Sequence, residues 1–156
     1  MSAVNGFYRI YGNENLKEFF KEMTMSEELI TATISDFNLE WKSNDYRYDI
    51  IEKFGDKKED RYGSKFDGEE IDYTLPVGRS IPASKLKTVM FKPGHYKQFC
   101  TNSDGSTASF EFEFSDGSLC IVSNCGRSHC FPDHADFIYY NIFHFRQEKW
   151  MPVEQP

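Results

Sequence analysis

The sequence predicts a mainly β protein, an antiparallel sandwich or barrel, and three observations lead to this fold class. From residue 36 onward apolar and polar residues alternate with a period of two, which is typical of strands with one buried face. Turn sequences such as Asp67-Gly68, Pro93-Gly94 and Asp116-Gly117 separate these runs at intervals of about ten residues. Aromatic residues make up 17% of the chain, with 15 Phe and 9 Tyr, and so many large apolar side chains must fill a core or line a pocket.

Two short helices are predicted between the first strand, at 6–12, and the rest of the sheet. The segment "NENLKEFFKEM", at 13–23, has the 3.6-residue periodicity of an amphipathic helix. Its apolar face consists of Leu16, Phe19, Phe20 and Met23. A second helix is predicted over 25–31, because Thr24 stands three residues before Glu27 in a capping-box pattern. Together the two helices form a helical hairpin.

The whole chain, 1–156, is interpreted as one domain, since its length allows one substantial core. The predicted strands after the helices are 37–43, 46–53, 60–66, 69–75, 85–92, 95–102, 107–114, 118–124 and 137–146. Two connections, 76–84 and 124–136, are longer than hairpins need, and the tail at 148–156 is predicted to be loosely held.

Charge and cysteine content narrow the classes of function. The formal net charge is −7 and no basic block offsets it, which argues against a nucleic-acid surface or an anionic-membrane patch. The first ten residues do not have the pattern of a signal peptide, and no apolar run reaches the roughly 18 residues of a membrane span. The four cysteines are therefore expected to be reduced thiols in a cytoplasmic protein.

The hairpin "SFEFEFSDGSLCI", at 109–121, raises the central functional question. Phe110, Phe112 and Phe114 must share one face of their strand, while Glu111 and Glu113 share the other. Barrels of this size either fill with side chains or leave room for one small ligand. The residues alone favour a packed core.

Several segments resemble the intracellular lipid-binding proteins, that is, the fatty-acid-binding and cellular retinoid-binding proteins. The resemblance runs from about residue 6 to 146 and rests on the order of its pieces. These are "GFYRI" at 6–10, "NENLKEFFKEM" at 13–23, "DGEEIDYT" at 67–74, "KLKTVMFKPGH" at 85–95 and "EFSDGSL" at 113–119. The chain is interpreted as a divergent member of this family.

The resemblance implies a ten-stranded antiparallel up-and-down β-barrel, or β-clam, with a helix-turn-helix lid at about 14–31. Its cavity would hold one hydrophobic ligand. The position of Phe112 usually faces the cavity in this family, so Phe110, Phe112 and Phe114 are expected to line it. The lid residues expected to pack down or gate the ligand are Phe19, Phe20 and Met23.

The family's usual carboxylate clamp is incomplete in this sequence. Phe112 stands where the family usually has an arginine, and the last strand, "FIYYNIFHFRQ", lacks the family's Arg-x-Tyr. Two phases of this strand remain open. One phase turns Phe137, Tyr139, Asn141, Phe143 and Phe145 inward; the other turns Ile138, Tyr140, Ile142, His144 and Arg146 inward. The second is preferred here because only it supplies a cationic anchor, with Tyr140 and His144 inside and Arg146 near the strand end.

Other chemistry has weak support. Cys125, His129, Cys130 and His134 are zinc-ligand types within ten residues, but their spacing is not that of a standard finger, and an ordinary polar loop is preferred. A disulfide, Cys125–Cys130 or Cys100–Cys120, is a further alternative in an oxidising setting. No phosphate-binding glycine loop and no Gly-x-Ser-x-Gly motif occurs.

The sequence therefore predicts a non-enzymatic, monomeric carrier with no cofactor. Its expected partner is a small hydrophobic ligand: a fatty acid, a retinoid, a sterol or a pigment. Transient membrane contact through the lid is a further expectation. The alternatives are a chromophore-binding protein or an enzyme that uses the same cavity, and an interaction or metal-dependent module built on the 124–136 loop.

Overall fold

Ten antiparallel strands form a nearly closed barrel, with two short helices inserted after the first strand. The computed structural model describes residues 4–22, 26–56, 58–73, 84–101, 105, 107–126 and 138–147. The helices are α1 (Leu16–Glu22) and α2 (Glu27–Ser35). The strands are β1 (Gly6–Glu14), β2 (Phe37–Ser43), β3 (Arg47–Phe54), β4 (Lys58–Lys65), β5 (Ile71–Tyr73), β6 (Ser84–Lys92), β7 (His95–Thr101), β8 (Thr107–Ser115), β9 (Ser118–Gly126) and β10 (Ile138–Gln147).

The strand order is that of a meander whose first and last strands meet. The order β4-β3-β2-β1-β10-β9-β8-β7-β6-β5 joins every strand to a sequence neighbour except at the β1–β10 contact. That contact runs from Tyr8 opposite Gln147 to Glu14 opposite Ile142, with an irregularity at Ile10. In the described part of the chain no ladder joins β4 to β5, so the sheet ends there. The ten-strand up-and-down fold expected from the sequence is confirmed.

The hairpin between β8 and β9 shows why these sequences turn where they do. Asp116 and Gly117 both have positive φ, 47° and 78°, which is the conformation a two-residue hairpin turn requires. The turn fixes the register, so Phe112 lies opposite Ile121 and Phe114 opposite Leu119. All four side chains therefore belong to the inner wall of the barrel.

The helices begin and end at somewhat different residues from those expected. The N-cap of α2 is Ser26, whose hydroxyl accepts a hydrogen bond from the backbone N–H of Leu29 at 3.2 Å. The capping-box expectation for Thr24 falls outside the described residues. The helix also extends to Ser35, four residues beyond the predicted end. Its buried residues, Leu29, Ile30 and Thr33, face the barrel, where α2 contacts β1, β2 and β3.

Within the described residues, neither helix is long and apolar enough to cross a membrane.

Candidate functional site

The three phenylalanines of β8 face the interior, as the alternation predicted. Phe112 is 2% exposed, and its ring centroid lies 5.5 Å from that of Trp41. The ring centroid of Phe114 lies 5.0 Å from that of Trp41 and 5.4 Å from that of Tyr8. Phe110 lies on the same face and packs against the core, but it keeps a partly exposed surface. Phe112 is therefore fully packed, whereas Phe110 and Phe114 are both partly buried, and Phe114 is held by its contacts with the rings of Trp41 and Tyr8.

Aromatic rings in mutual contact occupy one part of the interior, which we name the aromatic cluster. Its members are Tyr8, Trp41, Tyr48, Phe66, Tyr96, Phe112 and Phe114. Trp41 and Tyr48 stack at 4.8 Å with an angle of 3° between the ring planes. Phe66 and Tyr96 stack at 4.8 Å and 15°. Stacked and edge-on pairs at these distances add to the free energy gained by burial, so this part of the interior is packed protein core.

A second aromatic group includes the inner side chains of β10. Phe37 stacks on Phe54 at 4.8 Å and meets Phe143 and Phe145 edge-on at 5.3 Å and 5.2 Å. Asn141, Phe143 and Phe145 are all buried, so the inner face of β10 is the phase that was not preferred from the sequence.

His144 and Arg146 lie on the outer wall, and their expected inward orientation is wrong. The imidazole Nε2 of His144 lies 3.4 Å from a carboxylate oxygen of Glu14, and the Arg146 guanidinium lies 4.6 Å from the ring centroid of Tyr11, which is exposed. The physical reason is burial: the alternate phase would expose Phe143 and Phe145 to water and bury a guanidinium. The side chain of Tyr140, a residue of β10, is outside the described part of the structure.

Four polar side chains form a hydrogen-bonded network inside the barrel, which we name the polar network. The Gln98 amide donates to the hydroxyls of Tyr48 and Tyr62, both at 3.0 Å. The Tyr48 hydroxyl also lies 2.7 Å from the Thr88 hydroxyl, within hydrogen-bond distance. Burial raises the pKa of Tyr48 to about 12, and the hydrogen bonds to Thr88 and Gln98 act in the opposite direction. These buried polar groups therefore have partners.

A buried acid also lies on the inner wall. Glu52 is 9% exposed and stands opposite Asp60 in the β3–β4 ladder. Burial, and secondarily the charge of Asp60, raises the pKa of Glu52 to about 8. At neutral pH this side chain is therefore largely protonated and uncharged.

Ser123 and Asn141 are buried polar residues of a different kind. They lie opposite each other in the β9–β10 ladder, and each is 0% exposed. The hydroxyl oxygen of Ser123 and both amide atoms of Asn141 have no hydrogen-bond partner among the described residues. Sequence reasoning did not select either residue: Ser123 was not considered, and Asn141 faces inward only in the phase that was not preferred, because a serine and an asparagine in a strand carry no signal of burial.

None of the inner-wall side chains that the structure describes is basic. The buried polar and charged side chains are Thr33, Glu52, Ser64, Thr88, Gln98, Ser123 and Asn141. Every arginine or lysine side chain that the structure describes is exposed or partly exposed. The part of the interior that is described thus offers neutral hydrogen-bonding groups and one buried acid.

The remaining sequence candidates are only partly placed. Phe19 and Phe20 belong to α1 and Cys125 belongs to β9, but their side chains are not described. Met23, His129, Cys130 and His134 fall outside the described residues, so the gating and metal-site expectations stay untested. The 124–136 loop begins later than expected, since β9 continues to Gly126.

The placement of two cysteines and of one group of potential metal ligands bears on the remaining alternatives. Cys100 is buried on the inner face of β7 and Cys120 lies on the outer face of β9, so the two do not form the Cys100–Cys120 disulfide. On the outer wall, the potential ligand atoms of His95, Glu111 and Glu113 lie within 4.8 Å of one another. The His95 imidazole is already 2.5 Å from a Glu111 oxygen, and a cross-strand hydrogen bond accounts for that contact.

A groove of about 270 Å³ lies on the outer wall across β1 to β4. Its arginines have hydrogen-bond partners: Arg9 Nε donates to the amide oxygen of Asn38 at 3.1 Å, and Arg61 Nε donates to the carboxylate of Glu59 at 2.6 Å. Glu59 also lies 3.9 Å from the ammonium group of Lys53. The groove therefore presents no concentrated positive charge.

The structure, but not the sequence, matches known proteins. No family model and no curated protein matches the sequence. The solved structures that match include the fatty-acid-binding protein of Manduca sexta, at 16% identity and a TM-score of 0.68, with 93% of this chain and 99% of that chain covered. Zebrafish ileal bile acid-binding protein, solved with cholic acid, matches at 16% identity and 0.67, with 94% and 100% covered.

A secretory abundant heat soluble protein of Ramazzottius varieornatus matches equally well in shape. Its TM-score is 0.72 at 12% identity, with 95% of this chain and 97% of that chain covered. The chain thus has the fold of the fatty-acid-binding and related lipid-binding proteins, as the sequence resemblance implied. At these identities the match concerns the fold alone.

Proposed function

We propose that the protein is a non-enzymatic carrier that binds a small hydrophobic ligand inside its barrel. The observation that carries the proposal is the partly exposed surface of Phe110. Phe110 lies in the middle of β8, faces inward, and stands opposite Gln98 on one side and Ser123 on the other. Both of these neighbours are buried, and from this we infer that the exposed part of Phe110 borders ligand space on the inner side of the wall.

The lining supports a ligand whose body is apolar. Phe110 presents an aromatic face, and the inward-facing Ile71 and Met90 are also only partly buried against the core. Transfer of an apolar ligand from water to such surfaces gains roughly 25 cal/mol per Å² before the costs of association. Fatty acids, retinoids, sterols and pigments share such a body. The fold is also that of proteins named for fatty-acid and bile-acid binding.

The cellular setting belongs to the same proposal. We place the carrier in the cytoplasm as a monomer, with α1 and α2 as the lid through which the ligand passes and as the surface for transient membrane contact. The position of α2 over β1, β2 and β3 supports a lid at this end of the barrel. The alternative of an enzyme or chromoprotein needs a polar side chain such as His144 in the cavity. It is less well supported, because His144 lies on the outer wall beside Glu14.

Retinol titration with two matched variants tests the proposal. Delipidated wild-type protein is expected to bind retinol saturably, read out by retinol fluorescence. Phe110→Ala is expected to weaken binding roughly tenfold through lost apolar contact. The control is Phe91→Ala, a phenylalanine with 57% exposure on the outer wall, which should leave the Kd unchanged.

Extraction of the protein from its host with organic solvent, followed by mass spectrometry, identifies what it carries. A stoichiometric lipid or pigment supports the proposal. The proposal fails if nothing is extracted and if retinol, hexadecanoate and cholesterol all fail to bind the delipidated protein.

A further inference from the structure

We propose that Ser123 and Asn141 form the subsite for a hydroxyl head group, and that the preferred ligand is an uncharged hydrophobic alcohol. This inference rests on the proposed function, since it assigns a head-group site within the same barrel. It departs from the carboxylate clamp considered in the sequence analysis, which depended on basic residues of the last strands.

The strand register brings the two side chains together. Ser123 and Asn141 are direct cross-strand partners on the inner face, so their Cβ atoms lie roughly 5 Å apart. The Asn141 amide offers a carbonyl acceptor and an NH₂ donor, and the Ser123 hydroxyl offers both functions. A ligand hydroxyl needs one acceptor for its proton and one or two donors for its oxygen. Ser123 and Asn141 together supply this acceptor and these donors at one position on the inner wall.

The burial of these groups without partners is the unusual feature. Both residues are 0% exposed, and three of their polar atoms make no hydrogen bond within the described structure. Buried side-chain polar atoms normally have partners, because losing hydration without replacement costs free energy of folding. The polar network shows the normal case in the same barrel, where the Gln98 amide is paired with two tyrosine hydroxyls. A ligand hydroxyl would form the hydrogen bonds that the side chains of Ser123 and Asn141 lack.

The charge of the surroundings decides between an alcohol and an acid. A buried carboxylate needs a cation or several donors, because an unpaired buried charge is very unfavourable. Among the inner-wall side chains that the structure describes there is no lysine or arginine, and the carboxyl groups on that face are those of Glu52 and of Asp60 opposite it. A hydroxyl carries no charge and can be fully satisfied by a serine and an amide. The described lining therefore favours an alcohol.

Phe110 connects the subsite to the rest of the proposed binding space. It stands directly opposite Ser123 on β8 and keeps a partly exposed surface. Because Ser123 and Asn141 are fully covered, a head group reaches them only when a neighbouring side chain turns aside. The apolar body of the ligand would then lie along the Phe110 ring. This geometry links head-group recognition to the residue that carries the proposed function.

Paired probes of equal chain length test the inference. Displacement of 8-anilinonaphthalene-1-sulfonate by 1-dodecanol and by dodecanoate is measured at pH 7 with delipidated protein. We expect wild-type protein to bind dodecanol more tightly than dodecanoate. Asn141→Leu and Ser123→Ala should each weaken dodecanol binding by roughly tenfold, as expected for one lost buried hydrogen bond, and should leave dodecanoate binding unchanged.

Two further measurements separate a binding role from a structural one. Asn141→Leu should raise the melting temperature of the ligand-free protein, since it replaces an unsatisfied buried amide with an apolar group of similar size. Asn124→Leu is the matched control, because Asn124 adjoins Ser123 on β9 but belongs to the outer face, and it should leave dodecanol binding unchanged.

The possible failures are distinguishable. If neither dodecanol nor dodecanoate displaces the dye from wild-type protein, and retinol also fails to bind, the proposed carrier function fails. If both bind but dodecanoate binds more tightly, the alcohol assignment is overturned. If Asn141→Leu and Ser123→Ala lower the melting temperature without changing dodecanol affinity, the two residues serve the fold alone and the inference is overturned.

Discussion

The aromatic cluster and the Ser123–Asn141 pair occupy the same barrel interior but satisfy different physical requirements. In the aromatic cluster each ring packs against another ring. The ring centroids of Trp41 and Tyr96, for example, are 5.1 Å apart. At the polar pair, two side chains that are 0% exposed leave hydrogen-bonding atoms unpaired. The aromatic cluster is stabilised by contacts between its own rings, whereas the polar pair has hydrogen-bonding atoms without partners.

This difference indicates where stability and function reside. Burial of aromatic surface stabilises the fold, and a ligand would have little to add among rings that already fill their space. An unsatisfied buried pair costs free energy of folding unless another group completes its hydrogen bonds. Substitutions in the two regions should therefore separate the free energy of unfolding from ligand affinity.

The largest expected effect is that of Trp41→Ala. Trp41 is 0% exposed and contacts Tyr48, Tyr96, Phe112 and Phe114. Removing its ring leaves a large cavity in the aromatic cluster, and the free energy of unfolding should fall by about 3–5 kcal/mol. Urea unfolding followed by circular dichroism measures the loss.

The control for this substitution is Tyr46→Ala, since Tyr46 is an aromatic residue with 78% exposure. Its effect should stay within about 0.5 kcal/mol. If Trp41→Ala instead proved as mild as Tyr46→Ala while abolishing retinol binding, the aromatic cluster would be ligand lining and the contrast drawn above would be wrong.

The next effect is a dependence of stability on pH through Glu52. Its ordinary pKa of 4.5 is raised to about 8 in the folded protein, chiefly by burial. Between these two values the folded state holds a proton that the unfolded state has released, so the free energy of unfolding falls as pH rises. Below about pH 4.5 both states are protonated, and above about pH 8 both are ionised. The total change is on the order of a few kcal/mol.

Glu52→Gln isolates this contribution. The variant should lose most of the decline in stability between pH 5 and pH 8.5 and should be more stable than wild-type protein at the upper end. Asp49→Asn, on the outer face of the same strand, should keep the wild-type profile. Denaturant unfolding at several pH values measures both. A Glu52→Gln profile parallel to that of the wild type would mean that Glu52 is ionised and paired in the folded protein.

The fold could be read from the sequence because its signals are local. Two-residue alternation and turns such as Asp116-Gly117 gave ten strands, most with ends within two residues of those observed. β5 is shortened at both ends, since only Ile71–Tyr73 is a described strand where 69–75 was expected. The sequence predicts the cap of α2 at Thr24 instead of Ser26, because both hydroxyl residues, two positions apart, fit a cap.

The inner wall was harder to read, because it depends on which face of each strand is buried. In "FIYYNIFHFRQ" both phases carry large apolar residues, so alternation alone could not choose between them. The search for a cationic anchor then favoured His144 and Arg146, whereas packing of Phe143 and Phe145 on Phe37 determines the phase. Burial of Ser123 and Asn141 follows from the same phase and from long-range pairing.

The smallest expected effect tests that phase directly. Arg146→Ala removes a guanidinium from the ring face of Tyr11 on the outer wall, an exposed contact worth about 0.5 kcal/mol. Stability should change by no more than that, and the affinities for dodecanol and dodecanoate should stay within twofold of wild type. Phe145→Ala, one position away on the inner face, should instead destabilise the fold by about 3 kcal/mol or more. A selective loss of dodecanoate binding in Arg146→Ala would mean that the arginine reaches a bound carboxylate, and the ligand would then be an acid held by the outer end of β10.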